Sequence, residues 1–292
     1  MQRSTRSASL FYNITNDSQF FTILFGVFLF FLYNASVIIQ NNREENLITE
    51  AAKISVEILS KLGDLVKEGA TPLEIDEYAG ELCREYKVHP SFKRVKDYHY
   101  NTCISVNDVA VHGIPKDIPL KKGDLVSIDF GIVYKGMYTD HCWTWCVGKA
   151  DEKKMKLLLA GRKAVENAIP KAVVGNRTGD LSYEMEREAL RNGFNVLSVY
   201  VGHGIGKGLH EYPEIPAYGQ KGTGTLLEDG MVICIECQVV DDIDDVNIDK
   251  DGWSARTVNG GNSVMFEYMV IVRKDSPTIL TDTLNWGVEK ID

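Results

Sequence analysis

The sequence predicts an α+β domain built from two related halves. An amphipathic helix, a glycine-containing turn, a second helix opened by threonine and a set of strands occur twice, roughly a hundred residues apart. Helices and strands do not alternate strictly enough for a doubly wound parallel sheet, so an antiparallel sheet with helices packed on it is the simplest architecture. The 292 residues are 44% hydrophobic and 25% charged, proportions that bury a sizeable core. A net charge of −9 argues against a nucleic-acid binder, which would usually show a basic face, so no nucleic-acid partner is expected. Six cysteines are too sparse for a disulfide scaffold and are expected as reduced thiols.

In chain order, residues 20–39 come first: FFTILFGVFLFFLYNASVII carries no charge and is long enough as a helix to cross a bilayer. A cleaved signal peptide fits less well, because the run is too long and no A-x-A site follows. Two readings stay open. One is a membrane anchor, whose orientation the flanking charges do not settle. The other is upstream DNA translated from an early start, with the true start near Val37 and residues 1–36 as an extension.

From Asn46, the residues Ile48, Ala51, Ala52, Ile58, Leu59, Leu62 and Val66 form one stripe, and Gly69 ends that helix. Thr71-Pro72-Leu73-Glu74 is a capping box with proline at the first helical position, predicting a helix to about Tyr86. Strands are expected at Cys103–Val106, Leu125–Val133 and Tyr138–Val147, the last two joined by a hairpin at Tyr134-Lys135-Gly136. The second half predicts a helix over Glu152–Val173 and another, opened by Thr178, that stops at Gly193. Strands follow at Val196–Tyr200, Val232–Val240 and Val264–Arg273.

Four acids interrupt these apolar strands: Asp129 in LVSIDFGIV, Asp140 after the hairpin, Glu236 in VICIECQVV and Glu267 in VMFEYMVIV. A buried carboxylate is costly unless paired, protonated or bound to metal, and four in one domain are hard to explain as isolated core acids. His203 and His210 fall in the glycine-dense stretch YVGHGIGKGLHEYP, expected as a loop, and His112 in AVHGIP. One imidazole and four carboxylates suit a pair of hard-to-borderline divalent ions, whose charge the four acids would balance. Two such ions about 3.5–4 Å apart polarise a carbonyl and activate water, the basis of metal-assisted hydrolysis.

The motifs CISVNDVAVHGIP, LVSIDFG with a later TDH, GHGIGKGLHEYP, DGMVICIE, DGWS and the strand around FEY together resemble a type I methionine aminopeptidase, from about Val37 to Ile279. The resemblance implies the pita-bread fold, with two pseudo-symmetric helix-helix-strand halves around a shared curved antiparallel sheet in a catalytic domain of residues 37–292. It implies removal of the initiator methionine ahead of a small second residue. It places Asp129 on one ion, His203 and Glu236 on the other, and Asp140 and Glu267 across both. Glu236 would also shuttle the proton from attacking water to the departing amine. His210 would donate to the scissile carbonyl, and His112 would contact the substrate amide. Tyr98, Cys103 and Trp253 match the methionine pocket. The carbonyls of Asn107 and Val109, with Ser263, match a monovalent-cation site. The cofactors implied are two divalent ions (Co²⁺, Mn²⁺, Fe²⁺ or Zn²⁺) and one monovalent ion. The partners implied are nascent polypeptides near the ribosome, met by a cytoplasmic monomer, or by one anchored through residues 20–39 if that span is real.

Three departures from the family pattern stand out. Cys237 follows Glu236 where proline is usual, Tyr268-Met269 follow Glu267 where His-Thr is usual, and Leu209 precedes His210 in place of phenylalanine. They bear on rate, pocket shape and metal preference and remove no ligand. An Xaa-Pro peptidase of the same fold is the nearest rival, but such relatives carry an extra N-terminal domain that the roughly 45 residues before the first helix cannot supply. A fold-sharing binding module would typically have lost ligands. Cys142/Cys146 and Cys234/Cys237 are read as buried thiols rather than zinc pairs, because strand geometry separates them. Asn247–Gly252 lacks the closing glutamate of a calcium loop. His99 and His141 carry the ordinary expectation of surface or structural histidines.

Overall fold

The computed structural model describes residues 38–241 and 244–291. The expected 1–36 extension and all but the last two residues of the apolar span at 20–39 lie outside them. Among the described residues no helix is long and apolar enough to cross a membrane.

Four helices carry the two-part plan: α1 (Asn42–Gly63), α2 (Pro72–Glu85), α3 (Glu152–Ala168) and α4 (Thr178–Arg191). Helix α1 starts a turn earlier than its apolar stripe because Asn41 caps it, accepting from the Arg43 and Glu44 N–H groups. The Thr71/Glu74 capping box on α2 is present in both directions. Helix α3 stops at Ala168, short of the expected Val173, since Pro170 cannot continue the ladder and a 3₁₀ turn covers Ile169–Lys171. At α4 the cap position belongs to Arg177, not Thr178. Asp180 accepts the Arg177 N–H at 2.8 Å, while the Thr178 hydroxyl accepts from Thr225 N–H at 3.1 Å.

The main strands are β1 (Cys103–Val106), β2 (Val109–Val111), β3 (Leu125–Phe130), β4 (His141–Val147), β5 (Val201–Gly204), β6 (Glu211–Pro216), β7 (Val232–Val240), β8 (Ala255–Thr257) and β9 (Ser263–Ile271). The expected strand Leu125–Val133 breaks at Gly131, and Ile132–Tyr134 pairs instead with His89–Pro90 and Met137–Tyr138. Of Val196–Tyr200 only Val196 is in a strand, which it forms with Asn195. Leu197 N–H turns aside to Gln238 C=O at 3.0 Å, and Val199 lies out in solvent.

Backbone pairing makes one main sheet per half, with two small three-stranded sheets beside them. The first has the order Glu289–Lys290, β4, β3, β1; the second has the order β6, β5, β7, β9, Thr278–Ile279, with Asn195–Val196 also on β7. The two sheets meet along β4 and β9 with side chains supplying the join. Thr144 Oγ1 donates to Met265 C=O at 2.6 Å and accepts the Met265 N–H at 3.0 Å, and Ser127 completes the set at 2.8 Å.

Alternation along these strands sorts their residues. Val126, Ile128 and Phe130 join Ile233, Ile235, Val239, Val264, Phe266 and Val270 in the main core with the helices. Helices reach the sheets closely in each half through one glycine: a Cβ on Gly63 of α1 would sit 2.6 Å from the Trp145 ring, and one on Gly161 of α3 would sit 2.6 Å from Val264. Ser127, Asp129, Glu236, Gln238 and Glu267 occupy the alternate positions, opposite that core. Cys234 and Cys237 fall in different clusters, as a three-residue strand spacing requires, and all six cysteines are free buried thiols.

The seam gives a stability prediction. Thr144→Val keeps the shape but leaves both main-chain groups of Met265 without that partner, and is expected to cost about 2–4 kcal/mol. Urea unfolding of the variant measures it; a change under about 0.5 kcal/mol would mean that the hydroxyl does not hold the sheets together.

Candidate metal centre

Strand register collects the four acids. On the first sheet Asp129 sits opposite Cys103 on one side and Cys142 on the other, with Asp140 just before β4. On the second, Glu236 of β7 lies directly opposite Glu267 of β9, and Cys234 opposite His203 of β5. His203 therefore belongs to a strand rather than to the expected loop; glycines on both sides of it gave the wrong signal. The β4–β9 seam then turns the two sets toward each other.

The resulting cluster is tight. Ligand atoms of Asp129, Asp140 and Glu267 lie within 4.8 Å of one another, as do those of Asp140, His203 and His210 and those of His203, Cys234 and Glu267. His203 Nε2 is 3.9 Å from Asp140 Oδ2. Its Nδ1 lies 2.9 Å from the Gly204 carbonyl, which can only accept; the proton sits on Nδ1 and the Nε2 lone pair faces the acids. Glu236 stands outside these triples, held at Oε2 by the Gln238 amide N–H at 2.6 Å. Sequence reasoning missed Gln238, and it missed that Cys234 and His210 stand within ligand range. A polar residue two positions along the same strand from an acid was the available signal.

Burial and mutual repulsion push the carboxyls of Asp129, Asp140 and Glu267 well above the ordinary carboxylate range, and burial raises Glu236 as well. Burial lowers His112 and His203 to about 4, so both are neutral at physiological pH. His210 is held well below its usual value by burial and by the neighbouring imidazoles; its ring meets that of His203 edge-on at 4.5 Å. Asp129 Oδ1, Asp140 Oδ1 and Glu267 Oε1 are all buried with no hydrogen-bond partner. Three orphaned oxygens among converging acids, with an imidazole lone pair, fit divalent cations and little else that would offset the cost of burying them.

Beside this centre lies an apolar wall. Phe92, Tyr98 and Cys103 cluster with Val95, Tyr100, Ile114, Leu209 and Trp253. Tyr98 packs against Trp253 at 5.0 Å between ring centroids and donates its hydroxyl to Thr102 C=O at 2.7 Å. Because Cys103 pairs with Asp129, this wall begins one strand away from the acids. His112 adopts a left-handed backbone and meets Tyr200 edge-on at 5.1 Å. Asn107 C=O accepts the Ser263 N–H at 2.8 Å, which brings together two of the three residues expected at a monovalent-cation site; the third, Val109, begins β2. His141 is a buried structural residue bonded to Ser55 at 3.0 Å, and His99 is exposed.

The profile of metallopeptidase family M24 matches residues 46–274. The chain belongs to that family. It is 38% identical over 245 residues to the methionine aminopeptidase of Clostridium perfringens, covering 84% of this chain and 98% of that one. The methionine aminopeptidase 1 of Bacillus subtilis is 33% identical over 245 residues, with 84% and 99% covered. Among solved structures, methionine aminopeptidase from Thermotoga maritima superposes with a TM-score of 0.81 at 37% identity, covering 84% of this chain and 99% of that one. A prolidase from Pyrococcus furiosus, at 24% identity and TM-score 0.69, shares the fold alone, covering 84% of this chain and 66% of its own. The M24 chain thus has the pita-bread fold and is a metal-dependent hydrolase grouped with the methionine aminopeptidases.

The electrostatics predict a pH dependence. The raised carboxyls bind protons more tightly folded than unfolded, so without metal their contribution to stability is full at low pH and lost as pH climbs above about 4. The lowered histidines act oppositely, costing stability as pH falls from about 6.5 toward 4. A divalent ion takes the place of the carboxyl protons, so its affinity rises with pH. The increase in Tm on adding Mn²⁺ is expected to be larger near pH 7.5 than near pH 5.5, by thermal scanning. Asp140→Asn is expected to raise the Tm of the metal-free protein while losing most of the Mn²⁺ gain; equal gains in variant and parent would remove Asp140 from the ligand set.

Proposed function

We propose that this M24 enzyme removes the N-terminal methionine from newly made polypeptides with a small second residue. It would use two divalent ions held by Asp129, Asp140, His203, Glu236 and Glu267. The observation that carries the reading is the set of orphaned carboxylate oxygens on Asp129, Asp140 and Glu267, one strand from the apolar wall of Tyr98, Cys103 and Trp253. The names of the relatives point the same way. Asp129 would serve one ion, His203 and Glu236 the other, and Asp140 and Glu267 would serve both. Co²⁺, Mn²⁺, Fe²⁺ and Zn²⁺ all suit this donor set. When bound, the ions polarise the scissile carbonyl and activate water for attack.

The remaining work falls to side chains. The wall of Tyr98, Trp253 and Cys103 receives the methionine side chain, with its thioether against the aromatic rings. Glu236 takes the proton from the attacking water and passes it to the amine as the C–N bond breaks. His210, neutral in this environment, donates an N–H to the carbonyl oxygen as it gains charge. His112, also neutral, contacts the substrate amide. The carbonyls of Asn107 and Val109 with Ser263 form a site for one monovalent cation at the edge of β9. The enzyme acts as a cytoplasmic monomer on chains emerging from the ribosome.

A competition assay tests the reading. The full chain, reloaded with Mn²⁺ or Co²⁺, is given Met-Ala-Ser and Leu-Pro-Ala peptides in one tube and followed by mass spectrometry. Loss of methionine alone is expected; loss of leucine alone would assign the Xaa-Pro activity instead. Substituting His210→Ala is expected to lower kcat by about 100-fold or more with the peptide KM changed far less. A defect confined to KM would remove the carbonyl-donor role.

A further inference from the structure

Gln238 is fully buried in the interior of β7, two residues from Glu236 and on the same side of the strand. An amide is an expensive occupant of such a position unless its hydrogen bonds are made. Its neighbours on β7, Cys237 and Val239, point into the helix-packed core, and its strand partner on β9 is Met265, which offers no side-chain acceptor comparable to a carboxylate. Gln238 Nε2 donates to Glu236 Oε2 at 2.6 Å, and Gln238 Oε1 is buried without a partner. The amide is therefore spent on one contact, and that contact is to the acid given both a ligand's and a proton carrier's role.

We infer that Gln238 is a positioning residue that sets how Glu236 presents its carboxylate. A carboxylate Oε2 engaged by a strong N–H donor is turned toward residue 238, which fixes the last torsion of Glu236 and leaves Oε1 as the oxygen free to face the ion shared with His203. Without the amide that torsion is soft, because terminal carboxylate rotation is broad, and the carboxylate spends less time in the ligating orientation. Groups that orient metal ligands in this way typically change metal affinity by 10–100-fold when removed. The effect should fall on one ion only. Asp129 lies on the other sheet, and the Gln238 side chain bonds to Glu236 and not to it, so the ion Asp129 would serve is expected to be insensitive to position 238. This inference rests on the two-ion reading above.

The experiment is a calorimetric titration of metal-free full-length protein with Mn²⁺, comparing the parent with Gln238→Met, which is close in shape and has no donor, and with Glu236→Gln. Gln238→Leu serves as a second variant if Gln238→Met does not fold. The expected result for Gln238→Met is one binding step weakened about tenfold or more and the other unchanged within about threefold. In kinetics at subsaturating Mn²⁺ it shows a lowered kcat, recovered by raising Mn²⁺, at an unchanged peptide KM. Glu236→Gln should lose the same step outright. Both steps unchanged in Gln238→Met while Glu236→Gln loses one would overturn the role of Gln238 and leave the two-ion reading standing. Equal weakening of both steps with a lowered Tm would reduce Gln238 to a packing residue and equally overturn it. Full two-step binding in Glu236→Gln would instead overturn the ligand assignment beneath it.

Discussion

Four carboxylates forced together away from water set the terms for the rest of this molecule. Left alone they repel, and burial together with that repulsion pushes Asp129, Asp140 and Glu267 well above the ordinary carboxylate range. The surroundings are closely packed: β7 and β9 are buried along their whole length, and each half brings its helices hard against the sheet through a single glycine. A looser scaffold would relieve the repulsion by letting the acids drift apart or admitting water. The fold keeps them clustered at a cost to its own metal-free stability, an arrangement expected of a binding site and not of a core.

Much of this was legible in the chain itself. The capping box at Thr71 and the strand β7 came out at their observed positions because local hydrogen bonding and unbroken apolar alternation decide both. The four acids stood out for the opposite reason, as breaks in that alternation. The errors cluster where local and tertiary preferences compete. Thr178 looks like a cap, yet its hydroxyl is drawn to Thr225 and the position passes to Arg177. Val196–Tyr200 has the β-branched character of a strand, but the Leu197 N–H finds the Gln238 carbonyl and the chain leaves the sheet.

The site divides the same way. Which residues could bind metal follows from their type and their place in a strand. Which of them meet follows from pairings between residues far apart in sequence, such as Glu236 with Glu267 and His203 with Cys234, and no local signal carries those. His203 was misplaced on a loop because flanking glycines usually mark one; here they let neighbouring backbone approach, with Gly202 lying against the Cys234 carbonyl. Gln238 escaped notice because a lone glutamine in a strand has no chemistry of its own, and its meaning depends on the acid two residues away.

The join between the halves has a consequence for how each can vary. Because β4 and β9 are tied by the side chain of Thr144 and not by a continuous backbone ladder, the two sheets need no common hydrogen-bond register across their boundary. A half that lies beside its twin through side-chain contacts such as these, with Cys142 and Cys234 adding theirs, can gain or lose residues in its hairpins without shifting the other out of step. The first half joins its paired strands by a hairpin that ends in Asp140; the second joins β7 and β9 by a longer excursion that carries Trp253. That freedom lets two halves of one plan carry different donors, acids on the first sheet and a histidine with two glutamates on the second.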